Sequence, residues 1–210
     1  MTEKDTCFQL FLNERFFMIS NSEDVCFNSV NGIGTKIERI EDMGKTFDMF
    51  EKSNIPEFYV YTETPEVALN CLLEKNEFIS AAGGIVSNAD NCILLMNRLG
   101  YSDFPKGKVE IGETEISAAR REIEEECGLN VEISNKIMDT YHVYHNNEKR
   151  IIKRTAWFAA EYYGNQIFTP QTEEGITDIR WVSIKSVNEH LSEMYASLRP
   201  LITKYLSILK

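Results

Sequence analysis

The stretch from Gly107 to Leu129, GKVEIGETEISAARREIEEECGL, sets a glycine-containing loop directly before a short, sharply bounded helix. Thr114 is a natural N-cap, because its hydroxyl can accept from the free N–H groups of the first turn. Gly128 can take the left-handed conformation that ends a helix. Ile116, Ala119 and Ile123 at i, i+3 and i+7 offer the core an apolar side. Glu122 precedes Glu125 and Glu126 by three and four residues, so three carboxylates share one face. Like charges at that spacing repel unless something positive lies between them. A hard divalent cation is one answer, since Mg²⁺ takes oxygen ligands and usually binds through a few carboxylates plus substrate phosphates. A solvated acidic helix, partly neutralised by Arg120 and Arg121, is an equal reading of the spacing alone.

The rest of the chain bounds the problem. Its 210 residues can bury a sizeable core in one large or two small domains. No apolar run approaches the 18 or more residues that a membrane helix needs, so no membrane partner is expected. The opening MTEKDTCFQLFLNERFF lacks a signal-peptide pattern. Cys7, Cys26, Cys71, Cys92 and Cys127 are scattered and form no C-x-x-C pair, which favours reduced thiols in a cytoplasmic protein. A net charge of −11 argues against non-specific nucleic-acid binding. It leaves open a small phosphorylated substrate, for which bound metal supplies positive charge locally.

Residues 1–78 read as a small α+β accessory domain, for dimerisation or substrate shaping. FQLFL and RFFMI flank Asn13-Glu14 as a β-hairpin, Ser20 to Thr35 reads as loop, and Lys36 to Ile40 as a strand. Asp42 to Lys52 carries Met43, Phe47 and Phe50 at helical spacing. EFYVYT follows as a strand. Thr64-Pro65 then opens a helix with Val67, Leu69, Leu72 and Leu73 on its apolar side. This part holds seven basic and fifteen acidic residues and no metal-ligand or nucleophile cluster; its apolar, β-rich start suggests a homodimer. Residues 79–210 read as an α/β domain. ISAAGGIVSN and CILLMNR are strands, Leu99 to Asp103 is a turn, and FPKGKVEIG leads into the helix. One or two strands in VEISNKIMDTYHVYH, then RIIKRTAWFAAEYYG and DIRWVSI, precede a C-terminal helix from Ser186 to Leu209, interrupted at Pro200.

Gly107, Glu113, Arg121-Glu122, Ile123, Glu125-Glu126, Gly128 and Leu129 resemble the complete Nudix box. The resemblance covers roughly 79–210 and implies the family's α/β/α sandwich with a mixed sheet. It also implies divalent-metal-dependent hydrolysis of a diphosphate linkage in a nucleoside diphosphate derivative: ADP-ribose, a nucleoside triphosphate, a dinucleoside polyphosphate or a nucleotide sugar. By the family pattern Glu122, Glu125, Glu126 and the Lys106 carbonyl would hold Mg²⁺ or Mn²⁺. Arg121 and Glu113 would orient the loop. A non-catalytic nucleotide sensor is the competing class; the intact box and the acidic appendage speak against it.

Other candidates lie around the box. Lys106 and Lys108 bracket Gly107 and are equally readable as phosphate contacts or as solvated loop lysines. The PKGK wording is closer to relatives acting on dinucleoside polyphosphates and diphosphoinositol polyphosphates than to the PGGK of MutT-type enzymes. Several Nudix relatives place a further metal ligand or general base before the last strand. Glu174 is the first choice for it here and Glu173 the second. Tyr144 is a candidate base-stacking residue within the Tyr141, His142, Tyr144, His145 cluster. Trp157 and Trp181 are expected in the core.

Overall fold

In the computed structural model, which describes residues 5–29, 31–165 and 168–209, the chain begins with the expected hairpin. The opening MTEK lies outside the described residues. Strands β1 (Cys7–Leu12) and β2 (Arg15–Ser20) pair antiparallel around Asn13, whose positive φ of 56° makes the turn. Next come α1 (Glu23–Phe27), β3 (Ile33–Lys36), α2 (Met43–Lys52), β4 (Glu57–Tyr61) and α3 (Pro65–Glu74). β4 pairs in parallel with both β2 and β3.

Two details depart from the sequence reading. The 20–35 stretch holds α1 and most of β3 rather than loop, and the strand expected at 36–40 lies at 33–36. Gly34 explains the shift: a Cβ there would stand 2.2 Å from the Cys26 carbonyl oxygen, so its lack of a side chain lets β3 lie against α1. In α3, Val67 is exposed, and Ala68, Leu69 and Leu72 form the buried side.

The chain continues through β5 (Glu77–Asn88), β6 (Cys92–Arg98), β7 (Tyr101–Asp103), β8 (Lys106–Lys108) and α4 (Glu115–Cys127). A hairpin of β9 (Glu132–Asn146) and β10 (Lys149–Tyr162) turns on Asn147-Glu148, both at positive φ. β11 (Ile176–Ser183) and α5 (Arg199–Ile208) complete it. Strand pairing occurs in both senses along the chain, parallel at β2–β4 near its start and antiparallel at β6–β11.

The chain divides into two compact units: Met1–Ile79 with Tyr141–Lys153, and Ser80–Thr140 with Arg154–Lys210. The hairpin tip, expected with the second domain, groups with the first. Its Tyr141, Val143 and Ile152 are buried in one cluster with Leu10, Phe17 and Phe58. In that first unit Phe17 stacks on Phe58 at 5.5 Å, and Arg15 lies over Phe50 while donating to the Phe50, Glu51 and Ser53 carbonyls. That contact satisfies acceptors that the end of α2 leaves open.

In the second unit the strand order is β11-β6-β5-β10-β9, with β7 on β6 and β8 on β5. Alternation sorts the side chains to opposite faces. Ile85, Ile93 and Leu95 pack with Leu201, Ile202 and Tyr205 of α5, whereas Val86, Leu94 and Met96 pack with Ile123 and Cys127 of α4. The sheet therefore lies between α4 and α5 as an α/β/α sandwich. Trp157 is buried and donates to the Thr140 hydroxyl at 2.8 Å; Trp181 is only half-buried, stacked near Tyr162.

The C-terminal helix is shorter than its periodicity predicts. Val187–Glu193 and Ala196–Leu198 form 3-10 turns, and α5 starts at Arg199 with Pro200 in its first turn. Proline at that place begins a helix rather than interrupting one, since its missing N–H is one that no helical carbonyl would have used. All five cysteines are free thiols. Among the described residues no helix is long and apolar enough to cross a membrane.

Candidate active site

Helix α4 is bounded as its sequence dictates. Thr114 and Ser117 form a reciprocal capping box, at 3.1 Å for Ser117 N–H to the Thr114 hydroxyl and 3.0 Å in return. Gly128 closes the other end at φ 73°. Ala118, Ala119, Ile123 and Cys127 fasten the helix to the sheet. Ile116 does not join them: it lies in the capped first turn and is 48% exposed.

The loop before α4 is drawn onto the sheet by β8, which sets Lys106 opposite Gly83 and Gly107 opposite Ala82 on β5. Gly83 permits the approach, because a Cβ there would stand 2.4 Å from the Pro105 oxygen. Gly107 is needed for a different reason. The Glu122 carboxylate fills the space its side chain would occupy, at 2.0 Å from a Cβ built there. The first glycine of the motif is thus a seat for the first carboxylate of the helix.

Arg121 ties loop to helix. Its Nε and Nη2 donate to the two Glu113 oxygens at 3.0 and 2.9 Å, and Nη2 also donates to the Lys108 carbonyl at 2.9 Å. Its Nη1 donates to Glu122 at 2.8 Å and to Glu125 at 2.9 Å. These bonds use all five guanidinium N–H groups. The contact to Glu113 is the bidentate geometry that fixes orientation as well as charge. The guanidinium holds the Glu113 carboxyl below the usual carboxylate range, and the surrounding carboxylates raise the arginine in turn.

Glu126 has a separate environment. It is 2% exposed and accepts the Lys106 backbone N–H at 2.9 Å. Burial pushes its pKa up to about 7, against the opposing pull of Lys106 and Arg98. Arg98, at the end of β6, lies 3.6 Å from one Glu126 oxygen and 2.6 Å from Glu174, whose backbone carbonyl also accepts from the Arg98 Nε. The loop that carries Glu174 is tied to the end of α4, where Thr169 and Gln171 donate to the Cys127 and Glu126 carbonyls. The Lys106 ammonium is bound to the buried Asp103 carboxylate at 2.5 Å.

The sequence candidates thus fall into two neighbouring sets. Glu113, Arg121, Glu122 and Glu125 form one; Lys106, Glu126 and Glu174 form the other, with Arg98 and Asp103 added. Lys108 is exposed and contributes its carbonyl to Arg121, Glu173 is exposed beside Glu174, and Tyr144 lies in the first unit with its ring 5.5 Å from His142. Arg98 and Asp103 escaped the sequence reading. The available signal was a charged residue closing the apolar run CILLMNR, and an acid just before Phe104-Pro105.

Among the described residues no three acidic, histidine or cysteine side chains converge as a ready-made metal cage. Mg²⁺ seldom uses one, being held by one or two carboxylates, waters and substrate phosphates. The donor set suits such an ion: oxygen ligands only, one of them a carboxylate that is 2% exposed. Glu122 and Glu126, with Glu125 nearby, are the residues that could hold it.

Comparison with known proteins bears on the family and the fold. The NUDIX domain family model matches residues 77–205. The chain is 39% identical over 74 residues to an 8-oxo-dGTP diphosphatase from Haemophilus influenzae, covering 31% of this chain and 54% of that protein, so it spans about half of the relative's length. It is 27% identical over 118 residues to a MutT-like protein from Streptomyces ambofaciens, covering 55% of this chain and 71% of the relative. Its fold is similar to that of the crystal structure of the MutT protein from Methanosarcina mazei Go1, with TM-score 0.52 and 19% identity over 65% of this chain and 98% of the other. With the motif intact from Gly107 to Leu129 and the sandwich in place around it, the chain belongs to the NUDIX domain family.

Proposed function

We propose that this chain hydrolyses the diphosphate linkage of a nucleoside diphosphate derivative, with Mg²⁺ or Mn²⁺ as cofactor. The observation that carries the reading is the placement of Glu122 over Gly107 beside the buried Glu126, which gathers carboxylates where the loop backbone turns toward α4. Glu122, Glu126 and the Lys106 carbonyl hold the ion, with Glu125 binding directly or through water. When bound, the ion neutralises diphosphate oxygens and makes water a better nucleophile.

The chain's own residues do the remaining work. Arg121 keeps Glu122 and Glu125 from turning away into solvent, and Glu113 keeps Arg121 in place. Glu174 accepts the proton of the attacking water; the hold of Arg98 on both Glu174 and Glu126 supports that assignment. The likeness to an 8-oxo-dGTP diphosphatase favours a nucleoside triphosphate within the substrate class. We also assign a homodimer to the first unit. In its support, β3 ends the strand order with Ile33 half-exposed, an edge open to pairing. Light scattering that returns a 24.2 kDa monomer would overturn the dimer.

The activity is tested by screening phosphate and nucleoside monophosphate release across ADP-ribose, nucleoside triphosphates, dinucleoside polyphosphates and nucleotide sugars with Mg²⁺ or Mn²⁺. Glu126→Gln should lower turnover by more than roughly 100-fold, beyond the effect typical of outer-shell partners. A variant retaining near-wild-type turnover in excess Mg²⁺ refutes the assignment.

A further inference from the structure

Beside the carboxylates lies a pair of aromatic rings that the hydrolytic reading does not use. Leu99 and Gly100 make a two-residue turn, both at positive φ, that folds β7 back on β6. The register sets Tyr101 opposite Arg98 and Asp103 opposite Met96. Residues directly opposite in an antiparallel pair share a face, and so do residues two apart on one strand. Arg98, Tyr101 and Asp103 therefore project on one face, and Arg98 is the residue that reaches Glu126 and Glu174.

A second element supplies the other ring. Ser102 bridges in parallel to Met194, so the segment around Met194 runs along β7. Met194 is buried in the cluster that includes α5. Its successor Tyr195, partly buried against the same cluster, stacks on Tyr101 at 4.5 Å with 25° between the rings. The charges acting on the Tyr195 phenol include those of Asp103 and Arg98, which sets it in the same neighbourhood. The outer side of this stack is open: Tyr101 is 46% exposed and the adjoining Leu99 70%. Stacked tyrosines of which the outer, Tyr101, is left half-exposed are a costly way merely to hold a loop, because an apolar ring left in water forgoes much of its burial energy. They are well made to receive another flat ring, since base–aromatic stacking tolerates any base.

We infer that Tyr101, backed by Tyr195, is the platform on which the heteroaromatic base of the substrate stacks while its diphosphate meets the carboxylates. The inference rests on the reading that the site takes a nucleoside diphosphate derivative. It makes Tyr101 a specificity residue and sets the base on the β7 side of Arg98.

The test is calorimetric binding, in Mg²⁺, of α,β-methylene-ATP and of base-free methylenediphosphonate to wild type, Tyr101→Ala and Tyr101→Phe. Tyr101→Ala should weaken nucleotide binding roughly tenfold or more and leave the diphosphonate unchanged, whereas Tyr101→Phe should stay within about twofold of wild type for both. Unaltered nucleotide affinity in Tyr101→Ala, an equal loss for both ligands, or a wild type that prefers neither overturns the platform. Wild type that hydrolyses diphosphates without any preference for a base sinks the platform alone. Nucleotide binding through Tyr101 without hydrolysis keeps the platform and sinks the hydrolase.

Discussion

Arg121 shows how one side chain can organise several. A lysine in its place would keep the charge but lose the planar fork that binds both Glu113 oxygens. Arg121→Lys should therefore cut hydrolysis by about 10–100-fold, the range for residues that orient ligands. Steady-state rates alongside Glu113→Gln check it, and unimpaired turnover would remove the orienting role. Gly107→Ala makes a sharper test, because the new methyl would stand 2.0 Å from the Glu122 carboxylate. Turnover should fall at least roughly tenfold, as for a displaced metal ligand, with the melting temperature little changed. Full activity would show that Glu122 need not sit there. Glu126 adds a pH signature. Its pKa rises from 4.5 to about 7 on folding, so in that interval the folded protein without metal retains a proton that the unfolded chain releases. Stability is therefore lost as pH climbs through that window, by on the order of 3 kcal/mol. Glu113, held low by Arg121, works in the opposite direction, stabilising above its unfolded pKa and losing that contribution on acidification. In EDTA-treated protein, the urea midpoint of wild type relative to Glu126→Gln should decline between about pH 5 and pH 8. A constant gap would contradict the buried-acid account.

At the scale of elements, legibility followed how local each signal was. Both ends of α4 could be read because Thr114 and Gly128 act on backbone groups within one turn of themselves. Thr114→Ala should lower stability by about 1 kcal/mol, the usual effect of losing such a cap, seen as a lower thermal midpoint. An unchanged midpoint would mean that Ser117 suffices alone. The C-terminal segment misled for the complementary reason. Apolar spacing from 187 to 198 satisfied a helical pattern, yet Met194 and Ser102 form a strand-like bridge that no local pattern encodes. β3 was displaced similarly, since the use of Gly34 depends on Cys26, a residue on another element.

For the whole molecule, the unexpected partition is the β9–β10 tip. Tyr141, Val143 and Ile152 lie inside the family match and yet are buried in the first unit's core. Residues 80–210 expressed alone should expose them, bind a hydrophobic dye and self-associate, whereas the full chain should not. A monodisperse, dye-silent 80–210 would show that the second unit does not depend on the first. By itself the sequence determined α4, its caps, the loop glycine and the spacing of three carboxylates, because each follows from backbone geometry within a few residues. Only the tertiary structure decided which carboxylate is buried, that Arg98 and Asp103 join the site, and that Tyr101 meets Tyr195. Those outcomes depend on strand register and on a helix and loops far apart in the chain, and burial, unlike spacing, is a property of everything packed around a group.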